Sequence, residues 1–203
     1  MSNMTLRNEA AVYYFQQKKY LVVDNLLCDN YRKPICDEYL QKSGEKDAQC
    51  PVNSNAYYGE PKCEYLLVNT LPQIEKLTGL KLEPTYSYMR VYRPGEELEW
   101  HLDRPSCEIS ATINLGQSGE YDWPIWAAMS DDYTLTKSIS LKPGDAMIYR
   151  GMEVPHWREK FDAPNEDDWQ VQLFLHYVNR HGPHAHHKFD GRAQLTTEPF
   201  GEE

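Results

Sequence analysis

Two of the seven histidines carry the strongest chemical signal in this chain. His101 precedes Asp103 by two residues, and His156 lies far downstream in Val154-Pro-His-Trp-Arg158. On a strand or at its end, residues i and i+2 point to the same side, so imidazole and carboxylate can converge on one ion. Taken alone the His-x-Asp pair is weak, because a chain with this many histidines shows one by chance; the plain alternative is a surface histidine beside an aspartate. His156 completes a more telling set. Two imidazoles and one carboxylate hold Fe(II) on one face and leave open positions for a bidentate co-substrate and O2.

The elements that must position these residues fall into two parts. Residues 1–83 read as a helical layer, with helices over Glu9–Gln17, from Asp29 to about Gln41, and from about Lys62 to Thr78, where Gly79 stops the run and Pro72 is expected to kink or divide it. Between them Tyr20–Leu27 is strand-like, and Ser43–Glu60 is rich in Gly, Asn, Ser and Pro and reads as a loop, a candidate lid together with Gly116–Asp122. Residues 84–178 hold short strand candidates separated by turn signals: Tyr86–Tyr92, Glu97–His101, Cys107–Leu115, Trp123–Ala127, Thr134–Leu141, Asp145–Tyr149, Val154–Phe161 and Gln170–Val178. Such spacing predicts an α+β chain, mainly β, whose core is a jelly roll under an N-terminal helical layer. Residues 179–203 show no periodicity and read as an extended wrap or a frayed end, with His181, His184, His186 and His187 in it. The whole reads as a single domain, residues 1–203.

The stretch Tyr92-Arg-Pro-Gly95, His101-Leu-Asp103, Gly144-Asp145 and His156 resembles the 2-oxoglutarate/Fe(II)-dependent dioxygenases, in particular the prolyl-hydroxylase-like branch, over roughly residues 84–178. The resemblance implies a double-stranded β-helix, cupin-like in build, with Fe(II), 2-oxoglutarate as co-substrate, O2, and ascorbate as an accessory reductant. It implies hydroxylation of a C–H bond in a peptidyl or free amino acid, with release of succinate and CO2. His101, Asp103 and His156 match the metal ligands, and Tyr92 matches an aromatic position that hydrogen-bonds 2-oxoglutarate. One departure stands out. The family places Arg or Lys about ten residues after the distal histidine to pair the far carboxylate, and here that place is Glu166.

A buried carboxylate still needs a partner, since an unpaired charge taken from water costs several kcal/mol. Arg158, two residues after His156, shares its face on a continuing strand and suits a carboxylate bidentately. Arg90 is the runner-up, alternating with Tyr88 and Tyr92, and Gln172 can assist by hydrogen bond. Tyr88, Trp123 and Trp126 are candidates for the substrate pocket, with core packing as the alternative for the tryptophans. His176 reads as a satisfied core or rim histidine.

Composition narrows the partners. The net charge of −10 argues against gripping a nucleic-acid backbone, and hence against a nucleobase substrate. No apolar run is long enough to span a membrane. The five cysteines, odd in number and without a CxxC pair, read as free thiols; with no signal-like start, this predicts a cytoplasmic protein. A small-molecule or peptide substrate fits, and oligomeric state is not encoded legibly. From another class, a non-catalytic cupin-like binding module stays open, although cupins favour His-x-His with Glu where this chain has Asp103.

Overall fold

The computed structural model describes residues 3–46, 54–130 and 132–200. Three helices, α1 (Asn3–Lys18), α2 (Asp29–Gln41) and α3 (Pro61–Thr78), flank eleven strands. These are β1 (Tyr20–Val23), β2 (Glu45–Lys46), β3 (Asn55–Tyr58), β4 (Leu82–Tyr92), β5 (Leu98–His101), β6 (Ile109–Gln117), β7 (Ile125–Ala128), β8 (Thr136–Ile139), β9 (Ala146–Arg150), β10 (His156–Arg158) and β11 (Gln170–Asn179). A seven-stranded sheet has the order β1-β9-β6-β11-β4-β3-β2, and a four-stranded sheet has the order β5-β10-β7-β8. All pairings are antiparallel. Together they form a double-stranded β-helix with helices against the larger sheet.

Alternation on the larger sheet explains both its stability and its site. Val171, Leu173 and Leu175 of β11 share one face with Met89 and Val91 of β4 and Ile113 of β6. All six are buried against Leu66, Leu67 and Ile74 of α3 and Ile35 of α2. The opposite face carries Gln170, Gln172, Phe174 and His176, registered with Tyr92, Arg90, Tyr88 and Tyr86. Period-2 geometry thus turns a nearly all-buried strand into one aliphatic face and one polar, aromatic face. Two clusters fill the space between the sheets, one around Tyr20, Ile125, Met147 and Val154, the other around Tyr92, Leu98, Trp123 and Phe161.

The structure revises several readings of the N-terminal part. Residues 1–83 hold more strand than expected: the strand-like Tyr20–Leu27 run supplies β1, and β2 and β3 join the larger sheet beside it. The Ser43–Glu60 segment supplies β2 and β3; Cys50 falls outside the described residues. Pro72 leaves α3 whole: the carbonyl it frees belongs to Val68, which is 42% exposed, so water can satisfy it. Gly79 ends α3 at φ 73° with its N–H on the Glu75 carbonyl, a left-handed stop that glycine adopts without strain.

The tail is a wrap. Arg192 Nη2 donates to the fully buried Glu64 carboxylate at 2.6 Å, the Thr196 amide donates to its other oxygen at 2.9 Å, and Phe200 packs edge-on against Tyr31 and Tyr65. Among the described residues no helix is long and apolar enough to cross a membrane.

Candidate metal centre

The last residue of β5 and the first of β10 stand opposite each other in the smaller sheet, which sets the His101 and His156 rings 4.3 Å apart. Each ring is pinned from behind. His101 Nδ1 lies 2.8 Å from the Glu99 carbonyl and His156 Nδ1 lies 3.0 Å from the Val154 carbonyl. A carbonyl only accepts, so both Nδ1 atoms carry the proton and both Nε2 atoms offer a lone pair. Each Nε2 is 3.7 Å from Asp103 Oδ1, and the three donor atoms lie within 4.8 Å of one another. Such separations suit donors that each sit roughly 2.0–2.2 Å from a shared first-row ion. Burial holds His156 below the usual imidazole range and so keeps it neutral, as a ligand must be. The three residues therefore form a 2-His-1-carboxylate facial triad.

Asp103 arrives in the loop after β5 and is fixed by groups that sequence reasoning did not single out. Its amide donates to the Gly151 carbonyl at 2.9 Å, and Ser110 Oγ donates to its Oδ2 at 2.9 Å. A Cβ at Gly151 would lie 2.3 Å from Asp103 Oδ2 and 2.3 Å from the Cys107 carbonyl oxygen, so only glycine allows this approach. Tyr149 completes the surroundings, its hydroxyl 3.2 Å from His156 Nε2.

A cavity of about 490 Å³ opens on the triad. Arg90, Tyr88, Phe174 and His176 from the polar face of the larger sheet line it, with Tyr58 and Tyr86. The two arginines singled out from the sequence differ in placement. Arg90 is on the cavity wall, donates to the Tyr92 hydroxyl at 3.0 Å and lies over the Tyr88 ring at 5.4 Å. Arg158 sits deeper, 2% exposed, over the Trp123 ring at 4.7 Å, with Nη1 donating to the Trp123 carbonyl at 2.6 Å. Its Nε and Nη2 have no hydrogen-bond partner, and neither does Gln172 Nε2. Desolvation lowers the Arg158 guanidinium to about 10, so it stays charged at neutral pH. These buried donors without acceptors, on Arg158 two residues from His156 and on Gln172, are chemically suited to an anionic group, although neither residue lines the cavity. Glu166 lies in an exposed segment and takes no part.

Trp123 and Trp126, expected at the substrate pocket, do not line this cavity. Trp123 stacks on Phe161 and packs edge-on against Tyr92, donating its indole N–H to the Glu159 carbonyl. Trp126 lies one residue from Ala127, the register partner of His156, so alternation turns it to the opposite face, where it stacks on Trp157. The tail histidines His184, His186 and His187 lie side by side, the His186 and His187 rings 4.2 Å apart, but among the described residues the groups able to hold a metal are His101, Asp103 and His156, and Asp103, Cys107 and His176, and neither includes them. Cys107, by contrast, is buried near Asp103, and burial pushes its thiol up to about 12, which makes it inert.

Neither a family model nor a curated protein sequence matches the chain. Solved structures do. A prolyl-4-hydroxylase from Pseudomonas putida aligns with a TM-score of 0.65 at 15% identity, covering 85% of this chain and 99% of that one. HygX from Streptomyces hygroscopicus, solved with nickel, 2-oxoglutarate and hygromycin B, aligns at 0.65 and 13% identity, covering 89% and 88%. The α-ketoglutarate-dependent epimerase SnoN from nogalamycin biosynthesis aligns at 0.71 and 10% identity, covering 97% of each chain. At these identities the likeness is one of fold. The chain shares the double-stranded β-helix fold of these structures, with a facial triad at its centre.

Proposed function

We propose that this protein is an Fe(II)- and 2-oxoglutarate-dependent dioxygenase that hydroxylates a C–H bond in a peptidyl or free amino acid. The observation that carries the reading is the convergence of two proton-free Nε2 atoms on Asp103 Oδ1, each at 3.7 Å, beside the cavity. When bound, Fe(II) and 2-oxoglutarate supply the oxidative decarboxylation that couples O2 reduction to hydroxylation, with succinate and CO2 as co-products.

The chain's own residues orient and shield. His101, Asp103 and His156 would hold the ion, a donor set that would leave positions for the co-substrate and O2. Arg90, hydrogen-bonded to Tyr92, and the deeper Arg158 with Gln172 would offer cations and an amide donor to the far carboxylate of 2-oxoglutarate. Tyr88 and Phe174 wall the cavity with apolar surface that limits water near the reacting centre. The prolyl-hydroxylase-like branch rests on the Tyr92-Arg-Pro-Gly95 turn and on Tyr92. The free thiols support a cytoplasmic setting, and a cavity of this size supports a residue-sized substrate.

The test is succinate release by the Fe(II)-loaded full chain, screened against peptides, free amino acids and small metabolites under one set of conditions. Stimulation by an amino acid or peptide is expected. Stimulation only by another metabolite class overturns the substrate assignment, and no succinate with any substrate overturns the activity.

A further inference from the structure

We propose that Ser110 and His176 are positioning residues, linked in series, that hold Asp103 as a one-oxygen metal ligand. The inference rests on the metal-centre reading above and concerns residues outside the triad. His176 of β11 and Ser110 of β6 are register partners on the polar face of the larger sheet, and both are buried. Ser110 Oγ lies 2.9 Å from Asp103 Oδ2, 2.9 Å from His176 Nδ1 and 3.2 Å from the Cys107 carbonyl oxygen.

A hydroxyl has one proton, which sets the direction of this network. The ionised carboxylate accepts only, and a charged acceptor at the shorter distance outcompetes the Cys107 carbonyl. Ser110 therefore donates to Asp103 Oδ2 and can only accept from His176. The order is His176 Nδ1–H to Ser110 Oγ–H to Asp103 Oδ2. Oδ1, the oxygen facing both histidine Nε2 atoms, is left as the coordinating atom. A carboxylate freed to rotate could present both oxygens to the ion and so close a position needed by the co-substrate. The same order leaves His176 Nε2 without a proton, on a residue that lines the cavity. The ring is further held against Tyr86, centroids 4.5 Å apart.

The experiment measures Co(II) binding to the metal-free full chain by calorimetry, together with the visible Co(II) absorption. Ser110→Ala is expected to weaken binding about 10- to 100-fold, the usual cost of losing an outer-shell partner, and to change the Co(II) band as the carboxylate alters its denticity. His176→Phe keeps the ring against Tyr86 and removes no member of the triad, yet should weaken binding roughly fivefold or more; an unchanged Co(II) affinity with only the Asp103, Cys107 and His176 group disrupted would show that this group is not the Co(II) site. Because His176 acts through Ser110, adding His176→Phe to Ser110→Ala should produce no further loss. Ser110→Thr restores the hydroxyl and should restore affinity. Wild-type affinity in both single variants overturns the proposal, as do losses that multiply in the double variant. A wild-type chain that takes up no Co(II) overturns the metal centre itself, a failure this control separates from the first.

Discussion

Gly151→Ala puts a single methyl group between the metal ligand and the loop that shapes it. The backbone at Gly151 is not in the left-handed region, so alanine meets no conformational penalty and the effect is purely steric. The new Cβ would lie 2.3 Å from both Asp103 Oδ2 and the Cys107 carbonyl oxygen. Clearing even a 3.0 Å contact requires about 0.7 Å of retreat on each side. The Cys107 oxygen is backbone, and Asp103 is tied by Ser110 and by its own amide to the Gly151 carbonyl. Neither can move alone. Overpacking of this kind costs about 1–3 kcal/mol, or roughly 2–12 °C in Tm for a chain of this length. The larger effect falls on the site, where displacement of a ligand by most of an ångström should weaken Co(II) or Fe(II) binding at least tenfold, in line with the roughly 100-fold penalty for a 1 Å misplacement in catalysis. Calorimetric metal titration and thermal unfolding read the two effects separately. A Gly151→Ala protein with wild-type metal affinity would refute the reasoning, whatever its Tm.

Arg158→Met removes a guanidinium that burial holds down to about 10, so the variant should unfold at the same or a higher temperature while losing at least tenfold in 2-oxoglutarate affinity, read by anaerobic titration. Arg90→Met, titrated with 2-oxoglutarate under anaerobic conditions, assigns the far carboxylate: a loss in Arg90→Met alone would move that role to the cavity wall. In the metal-free protein, burial lowers His176 to about 4, with His156 shifted the same way. The unfolded chain binds the proton first, so this stability is full above about pH 6.5 and declines by roughly 3 kcal/mol toward pH 4. His176→Phe should flatten that slope in urea unfolding, and an unchanged slope counts against a buried neutral imidazole. Asp190, on which burial acts upward, is nonetheless held low by Tyr58 and Arg104, both cavity residues. Asp190→Asn should loosen the tail around Asp190, seen as faster amide exchange in residues 185–192; unaltered exchange would show that these contacts do not hold it.

The sequence reading was strongest where local chemistry and alternation agree. The ligand spacing marked all three donors, because a strand-end His-x-Asp and a distal histidine need only one paired register to meet, and β5 and β10 supply it. Strand β3 was not legible, since Asn55–Tyr58 borrows its pairing from β4 rather than from its own turn-rich neighbourhood. Trp126 illustrates the limit of alternation: on a four-residue strand the face is fixed by which residue pairs with His156, and that is a tertiary fact. Ser110 and Gly151 carry no motif, and His176 read only as a core or rim histidine; their roles around Asp103 were not legible. They became visible only when β6, β11 and the turn after β9 closed around Asp103.

Anaerobic titration of the Fe(II)-loaded protein with 2-oxoglutarate tests the account at its root. A visible metal-to-ligand charge-transfer band that saturates in wild type and is absent in His156→Ala is the predicted result. Tight metal uptake with no such band at any 2-oxoglutarate concentration would contradict it and leave a metal-binding jelly roll without oxygenase chemistry.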